Sequence, residues 1–151
     1  MAASPLDQLT NTLDEYLGKK APQLPDNIKQ TLVNFSPWLA LIAGVLGVLS
    51  ALTVFGIGSV FSPFALYGGP KFAGSYFSLF TFSSILLGVT GVLNLMAITP
   101  LRAKKERGWN LLFYAELIWI ASYLIQFDLV NVVVGGLIDL YFLFQVRPYF
   151  K

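Results

Sequence analysis

The sequence predicts an all-α integral membrane protein, a four-helix transmembrane bundle preceded by N-terminal amphipathic helices at the membrane interface. Only 12% of the 151 residues are charged, and the mean hydropathy is +0.67. Soluble domains carry about 25% charged residues, so this chain has too few to cover its own surface. No charge occurs in the 41 residues between Lys29 and Lys71, or in the 30 between Lys71 and Arg102. Each run is longer than the about 18 apolar residues that indicate a spanning helix.

The chain divides by composition into an arm, residues 1–35, and a transmembrane domain, residues 36–151. Seven of the 18 charged residues and three of the eight prolines are in the arm. We expect the arm to lie in the cytoplasm or on the membrane surface. The four spans of the domain are predicted at about residues 37–61, 75–99, 109–126 and 129–146.

The arm has the pattern of an amphipathic helix that starts at Ser4, an N-cap residue followed by the first-turn Pro5. Gly18 is the expected end of this helix, and a second short helix is expected to begin near Pro25 and Asp26. The apolar stripe should pack against the bundle or the bilayer interface, with partner docking as the alternative. It consists of Leu6, Leu9, Leu13, Tyr16 and Leu17.

Loop lengths set the arrangement of the predicted spans. Only Phe127 and Asp128 separate the last two spans, which must therefore form a tight antiparallel hairpin. Each of these has about 18 residues, or about 27 Å, and crosses a core of about 30 Å only when nearly upright. Between the first two spans, the glycine- and proline-rich segment from Pro63 to Gly74 predicts a loop.

The distribution of Lys and Arg predicts the orientation, because basic residues near span ends favour the cytoplasmic side. Nine of the ten lie on one predicted side, and only Lys71 lies on the other. Both termini should therefore face the cytoplasm. The loop between spans two and three should contact anionic lipid headgroups, at about 1 kcal/mol per basic residue, with partner binding as the alternative. Its basic residues are Arg102, Lys104, Lys105 and Arg107.

Small residues recur at helical spacing in three spans and predict faces where helix backbones approach closely. We expect these faces to form contacts within one bundle, with self-association as the alternative. They are Ala43, Gly47 and Ala51 in the first span, Ser84, Gly88 and Gly91 in the second, and Gly135 and Gly136 in the fourth.

Two acids, Glu116 and Asp139, lie inside the third and fourth spans. Each is about 11.5 residues, or about 17 Å, from the centre of the predicted turn, so they share one depth slightly past the middle of the core. An ionised carboxylate there costs at least about 2.5 to 3.5 kcal/mol, and no Lys or Arg lies at comparable depth. At least one should therefore be protonated, and facing acids could share a proton.

The surroundings of these acids leave three interpretations open. The glycines beside Asp139 favour a face that is packed against another helix rather than exposed to lipid. Asn94, Tyr123 and Gln126 could supply hydrogen bonds. The pair could fix helix register as neutral, mutually hydrogen-bonded acids, handle protons or cations, or capture a ligand.

The residue types that are absent exclude several kinds of site. The sequence has no Cys and no His, which excludes disulfides, thiolate nucleophiles, Cys/His zinc sites and His-ligated haem. No Walker-type phosphate loop occurs, and the membrane serines have no His or Lys base nearby. A net charge of +2 does not indicate nucleic acid as a partner. We expect no enzymatic activity, cofactor or metal.

Three segments resemble a group of short, uncharacterised four-span bacterial inner-membrane proteins. They are APQLPDNIKQTLVNFSPWLALIAGVLGVL, RGWNLLFYAELIWIASYLI and LYFLFQVRPYF. The proline-flanked arm, the RGW entry to the third span and the aromatic-basic tail carry the resemblance. It implies a bacterial origin and a multi-pass inner-membrane location, and it transfers no site residues.

The features together predict a non-catalytic accessory or scaffold component that acts through helix packing, self-associating or bound to a larger membrane complex. The alternative is a proton- or cation-linked small transporter or channel subunit that uses Glu116 and Asp139. A second alternative is a protein that binds lipid or another hydrophobic ligand in a cavity open laterally between spans.

Overall fold

The computed structural model describes residues 5–151, and within them the chain is helical without strands. Four helices in this part of the chain are long and apolar enough to cross a membrane. The predicted N-cap Ser4 lies outside the described residues. The helices are α1 (Pro5–Leu13), α2 (Asp26–Tyr67), α3 (Pro70–Arg102), α4 (Glu106–Ile125) and α5 (Leu129–Tyr149).

A π-helical segment, Asp14–Lys20, continues α1, so Gly18 does not end the arm's helix as predicted. The helix instead ends where Ala21 becomes extended, ahead of the prolines of the connector. Of the predicted apolar stripe, Leu13 and Leu17 pack against the hydrophobic core, whereas Leu6, Leu9 and Tyr16 are exposed.

Helix α2 is continuous over 42 residues, which corrects the prediction of a separate short helix before the first span. It crosses the predicted boundary at residues 35 and 36 without a break and contains both Pro37 and Pro63. Proline cannot donate to the carbonyl four residues earlier. The preceding serines supply those bonds, since the Ser36 hydroxyl donates to Val33 O and the Ser62 hydroxyl donates to Ser59 O, each at 2.8 Å.

The connection between α2 and α3 is a two-residue turn, Gly68–Gly69, rather than the predicted loop from Pro63 to Gly74. Gly69 has φ of 87°, a conformation that glycine adopts without steric cost. Pro70 then occupies the first turn of α3, where its missing N–H leaves no helical bond unmade. The spans predicted at 75–99 and 37–61 are therefore longer at both ends.

Helices α4 and α5 form the predicted hairpin. Phe127 has φ of 56°, and the Asp128 carboxylate caps α5 by accepting hydrogen bonds from the Asn131 backbone N–H at 3.2 Å and side-chain amide at 2.6 Å. Helix α5 is not regular throughout, because Val132–Gly136 forms a π-helical segment before α-helical geometry resumes.

The hydrophobic core lies at the end of the bundle that carries both described chain ends, here called the terminal end. Three rings at its centre are at most 1% exposed: Trp109, Phe113 and Phe144. Trp109 stacks on Phe113 at 5.2 Å between ring centroids and meets Phe144 edge-on at 5.1 Å. The Trp109 indole N–H donates to Leu143 O at 2.8 Å, which fixes α4 against α5.

The arm docks on α5 through a buried glutamine, Gln145, which the sequence pattern alone did not predict to be an anchor. Gln145 is 1% exposed, donates to Leu17 O at 2.8 Å and accepts from the Leu24 backbone N–H at 3.3 Å. The Tyr141 hydroxyl donates to Pro22 O at 2.6 Å, near this anchor. The sequence does contain an indication of this anchor, since a glutamine within the apolar run LYFLFQV would be buried, and a buried amide requires hydrogen-bond partners.

Candidate functional site

Glu116 and Asp139 line one cavity of about 360 Å³ in the middle of the bundle, here called the carboxylate cavity. Helix α4 provides Glu116 and α5 provides Asp139, and α2 and α3 complete the walls. The other lining residues are Ala43, Asn94, Leu112, Ala115, Trp119, Tyr123, Gly135 and Leu143. Four chain segments that are distant in sequence thus bring the two acids to a common space.

The cavity is open at the side where α2 faces α5. Ala43 on α2 and Asp139 on α5 are both exposed, whereas Glu116 is half-buried. Of the face predicted to pack against another helix, Asp139 is therefore exposed and Gly136 is packed. Gly136 takes that packed position, because a Cβ there would lie 2.8 Å from the Ile120 side chain, while Gly135 has nothing within 4 Å.

Neither carboxyl group has a hydrogen-bond or ion-pair partner among residues 5–151. The mutual hydrogen bond of the register-fixing interpretation is not formed between Glu116 and Asp139 among the described residues. Such a bond is the main requirement of a pair that fixes register, because a buried polar group stabilises a fold only when its hydrogen bonds are made. The two acids instead present their oxygens to an open cavity.

Polar and aromatic groups surround the acids. The Asn94 amide donates to Thr90 O at 2.9 Å, which fixes the side chain on α3 beside the cavity. Trp119 and Tyr123 stack one helical turn apart, with ring centroids 6.0 Å apart, and form an aromatic wall. Of the three polar groups expected to support the acids, Asn94 and Tyr123 line this cavity.

Gln126 lies elsewhere. Its amide donates to the Ser122 hydroxyl at 2.9 Å, and both residues line a separate groove of about 780 Å³ between α3 and the end of α4. Gln126 is ten residues, or about 15 Å, further along α4 than Glu116, so it is too far away to reach the acids.

The carboxylate cavity offers few oxygen donors to a cation. No group of three or more acidic side chains that could hold a metal ion occurs in the part of the chain that the structure describes. Calcium takes six to eight oxygen ligands, and magnesium requires near-octahedral geometry. Two carboxyl groups and one amide beside aromatic rings match a singly charged, weakly hydrated cation or a proton better than either metal.

Most of the small residues lie where α2 packs against α3, here called the α2–α3 seam. A Cβ on Gly47 would lie 3.0 Å from Gly91 Cα, and one on Gly88 would lie 3.7 Å from the Ala51 Cβ. Gly44, rather than Ala43, continues the seam, since a Cβ there would lie 2.7 Å from the Leu95 side chain. Ser84 is buried and donates to Phe80 O at 2.6 Å.

The basic loop is held at the terminal end by the C-terminus. The Lys151 backbone N–H donates to Lys104 O at 2.9 Å, and the Glu106 N–H donates to Lys151 O at 3.4 Å. The Arg102 guanidinium lies 5.9 Å from the centre of the Trp38 ring. Basic residues of the loop and the tail are therefore gathered at one end, which Lys105 and Arg107 share by position.

No protein-family model, curated protein or solved structure matches this chain.

Proposed function

We propose that the protein crosses a bacterial inner membrane four times, with both termini in the cytoplasm. Four sufficiently long apolar helices support the insertion. The orientation is supported by the clustering of nine basic residues at the terminal end, against Lys71 alone beside the turn between α2 and α3.

The absence of cysteine in the sequence makes this topology directly testable. Single cysteines replace Lys71 and Lys151 in turn, and intact cells are treated with a membrane-impermeant maleimide. We expect labelling at position 71 from outside and labelling at position 151 only after lysis. Labelling at position 151 in intact cells would contradict the orientation.

We further propose that Glu116 and Asp139 form a proton- or cation-binding site of a small transporter or channel subunit. The observation that carries this proposal is that both acids line one cavity without any partner among the described residues. A carboxyl group at mid-membrane depth is costly unless it is protonated or pairs with a cation, so exchange between a proton and a cation is the chemistry that this arrangement supports.

The test is flux into proteoliposomes that carry the intact protein, Glu116→Gln, Asp139→Asn or the double variant. Glu15→Gln is the matched control, since Glu15 lies on the arm and outside the cavity. We expect proton or monovalent cation flux in the parent and control, and loss of that flux in both cavity variants. Equal leak in all preparations would exclude transport.

The same variants distinguish transport from register fixing. Gln and Asn keep the size of the side chains and remove only the acid, so unpartnered acids predict little change in the unfolding midpoint. A large loss of bundle stability in the double variant would instead support a structural lock.

An accessory or scaffold role is the second candidate, supported by the uneven lengths of the helices. Helix α3 has 33 residues and α4 has 20, so the α2–α3 hairpin extends about 20 Å past the α4–α5 turn. That extension exposes Phe55, Phe61, Phe64, Tyr67 and Phe72. Mild-detergent purification with mass analysis tests it, and a monomer without bound partners would count against it.

A further inference from the structure

A second cavity, of about 220 Å³, adjoins the carboxylate cavity toward the terminal end and is here called the apolar cavity. The residues that line the apolar cavity but not the carboxylate cavity are all apolar except Ser36. They include Leu32, Leu39, Phe142 and Val146. The two cavities share five lining residues and so form one two-part space. The shared residues are Ala43, Asn94, Leu112, Asp139 and Leu143.

We propose that this two-part space binds an amphipathic organic cation. Its cationic nitrogen lies between Glu116 and Asp139, and its apolar body lies in the apolar cavity. This inference rests on the proposed cation site and names the ligand class of that site.

The carboxylate cavity suits an organic ammonium group. Such a group needs negative charge and the faces of aromatic rings rather than a full shell of oxygen ligands. Glu116 and Asp139 supply the charge, and the stacked rings of Trp119 and Tyr123 supply the aromatic wall. A divalent cation such as Ca²⁺ or Mg²⁺ would lose its water without gaining enough oxygens in return.

The apolar cavity explains why the ligand should carry an apolar body. Its mostly apolar lining matches an alkyl or aromatic group, whose surface it would keep out of water. The side of α2 and α5 that borders both cavities is exposed at Leu39, Ala43 and Phe142. Entry from the surrounding bilayer therefore fits this ligand better than entry from water.

The first test is calorimetric binding of benzyltrimethylammonium to the full-length protein in detergent. Its uncharged isostere neopentylbenzene is the matched probe. We expect saturable binding of the cation by the parent and by Glu15→Gln, and about tenfold weaker binding by Glu116→Gln and by Asp139→Asn. Partitioning of neopentylbenzene should be equal in all four. Equal cation binding in the parent and cavity variants would overturn the proposal.

The second test separates the two parts of the ligand. Leu39 lines the apolar cavity and not the carboxylate cavity. Leu39→Phe narrows the apolar cavity and should weaken benzyltrimethylammonium binding about tenfold. It should leave binding of tetramethylammonium, which lacks the apolar body, unchanged. Where Leu39→Phe does not fold, Leu32→Phe narrows the same cavity instead. Equal loss for both cations, or loss for neither, would contradict the assignment of the apolar cavity.

The outcomes separate this inference from the function on which it rests. Proton or inorganic cation flux that depends on both acids, without binding of benzyltrimethylammonium, would make the ligand class wrong and leave the site proposal standing. Flux and binding that are both independent of the acids would overturn both. Binding that requires the acids and the open apolar cavity supports both.

Discussion

The two sides of α2 differ in what they pack against. Toward α3, small residues let backbones approach so closely that a Cβ on Gly91 would lie 2.8 Å from Val48 N. Toward α5, Ala43 remains exposed beside the carboxylate cavity, and near it the arm bonds to α5 through Gln145. In this bundle close packing follows the alignment of glycines, and the two unpartnered acids lie where that alignment is missing.

The largest effect should come from Gly91→Leu, which disrupts the α2–α3 seam. The new side chain would meet Val48 N and Gly44 O, the latter at 3.1 Å from an added Cβ, and backbone atoms cannot move aside as side-chain ends do. We expect a loss of about 3 kcal/mol in unfolding free energy, at the upper end for overpacking, measured by unfolding in mixed detergent micelles.

Gly56→Ala is the matched control, because a Cβ at this position of α2 meets nothing within 4 Å. It should be neutral, or stabilising by up to about 1 kcal/mol through the lower entropy of the unfolded chain. Similar losses in both variants would show that the α2–α3 seam is not the closely packed contact described above.

The next largest effect should follow Gln145→Leu, which removes the side chain that joins the arm to α5. The change leaves Leu17 O and the Leu24 N–H without their buried partner, at a cost of about 2 kcal/mol. Hydrogen exchange should accelerate across residues 14–24 while protection of the α2–α3 seam is retained. Unchanged exchange in the arm would contradict the docking role of Gln145.

A smaller effect should follow Ser36→Ala on α2, beside the apolar cavity. Its hydroxyl replaces the bond that Pro37 cannot donate to Val33 O, so its loss should cost about 1 kcal/mol. In a Pro37→Ala background the backbone N–H restores that bond, and the same change should cost nearly nothing. A double-mutant cycle without coupling would refute this account of the continuous helix.

The smallest effect concerns the exposed ion pair of Glu15 with Lys20, at 2.6 Å. The Lys20 ammonium, through its hydrogen bond and charge, holds the pKa of Glu15 below its ordinary value. The stabilisation is therefore complete above that ordinary value and is lost as pH falls through the lowered one. Exchange at residues 14–20 should rise slightly over this range in the parent and not in Glu15→Gln. An identical pH response in the parent and in Glu15→Gln would contradict the stabilising role of this ion pair.

Sequence alone predicted the four apolar helices and the hairpin between α4 and α5, because apolar length and a two-residue separation determine both. It did not predict the continuity of α2. Proline alone predicts a break in a helix, whereas here the hydroxyl of the preceding serine bonds to the carbonyl that proline leaves unpaired. The exposure of Asp139 was also missed. Whether Gly135 or Gly136 packs against α4 depends on the π-helical segment of α5, which the helical period does not reveal.

Modification by a lipophilic carbodiimide tests the proposal that Glu116 and Asp139 are unpartnered acids open to the surrounding membrane. Such a reagent reacts with protonated carboxyl groups that it can reach from the bilayer. In native membranes, peptide mass analysis should find the label on Glu116 or Asp139, and a water-soluble carbodiimide should not label them. Labelling of these two residues only after the protein is denatured would contradict this proposal.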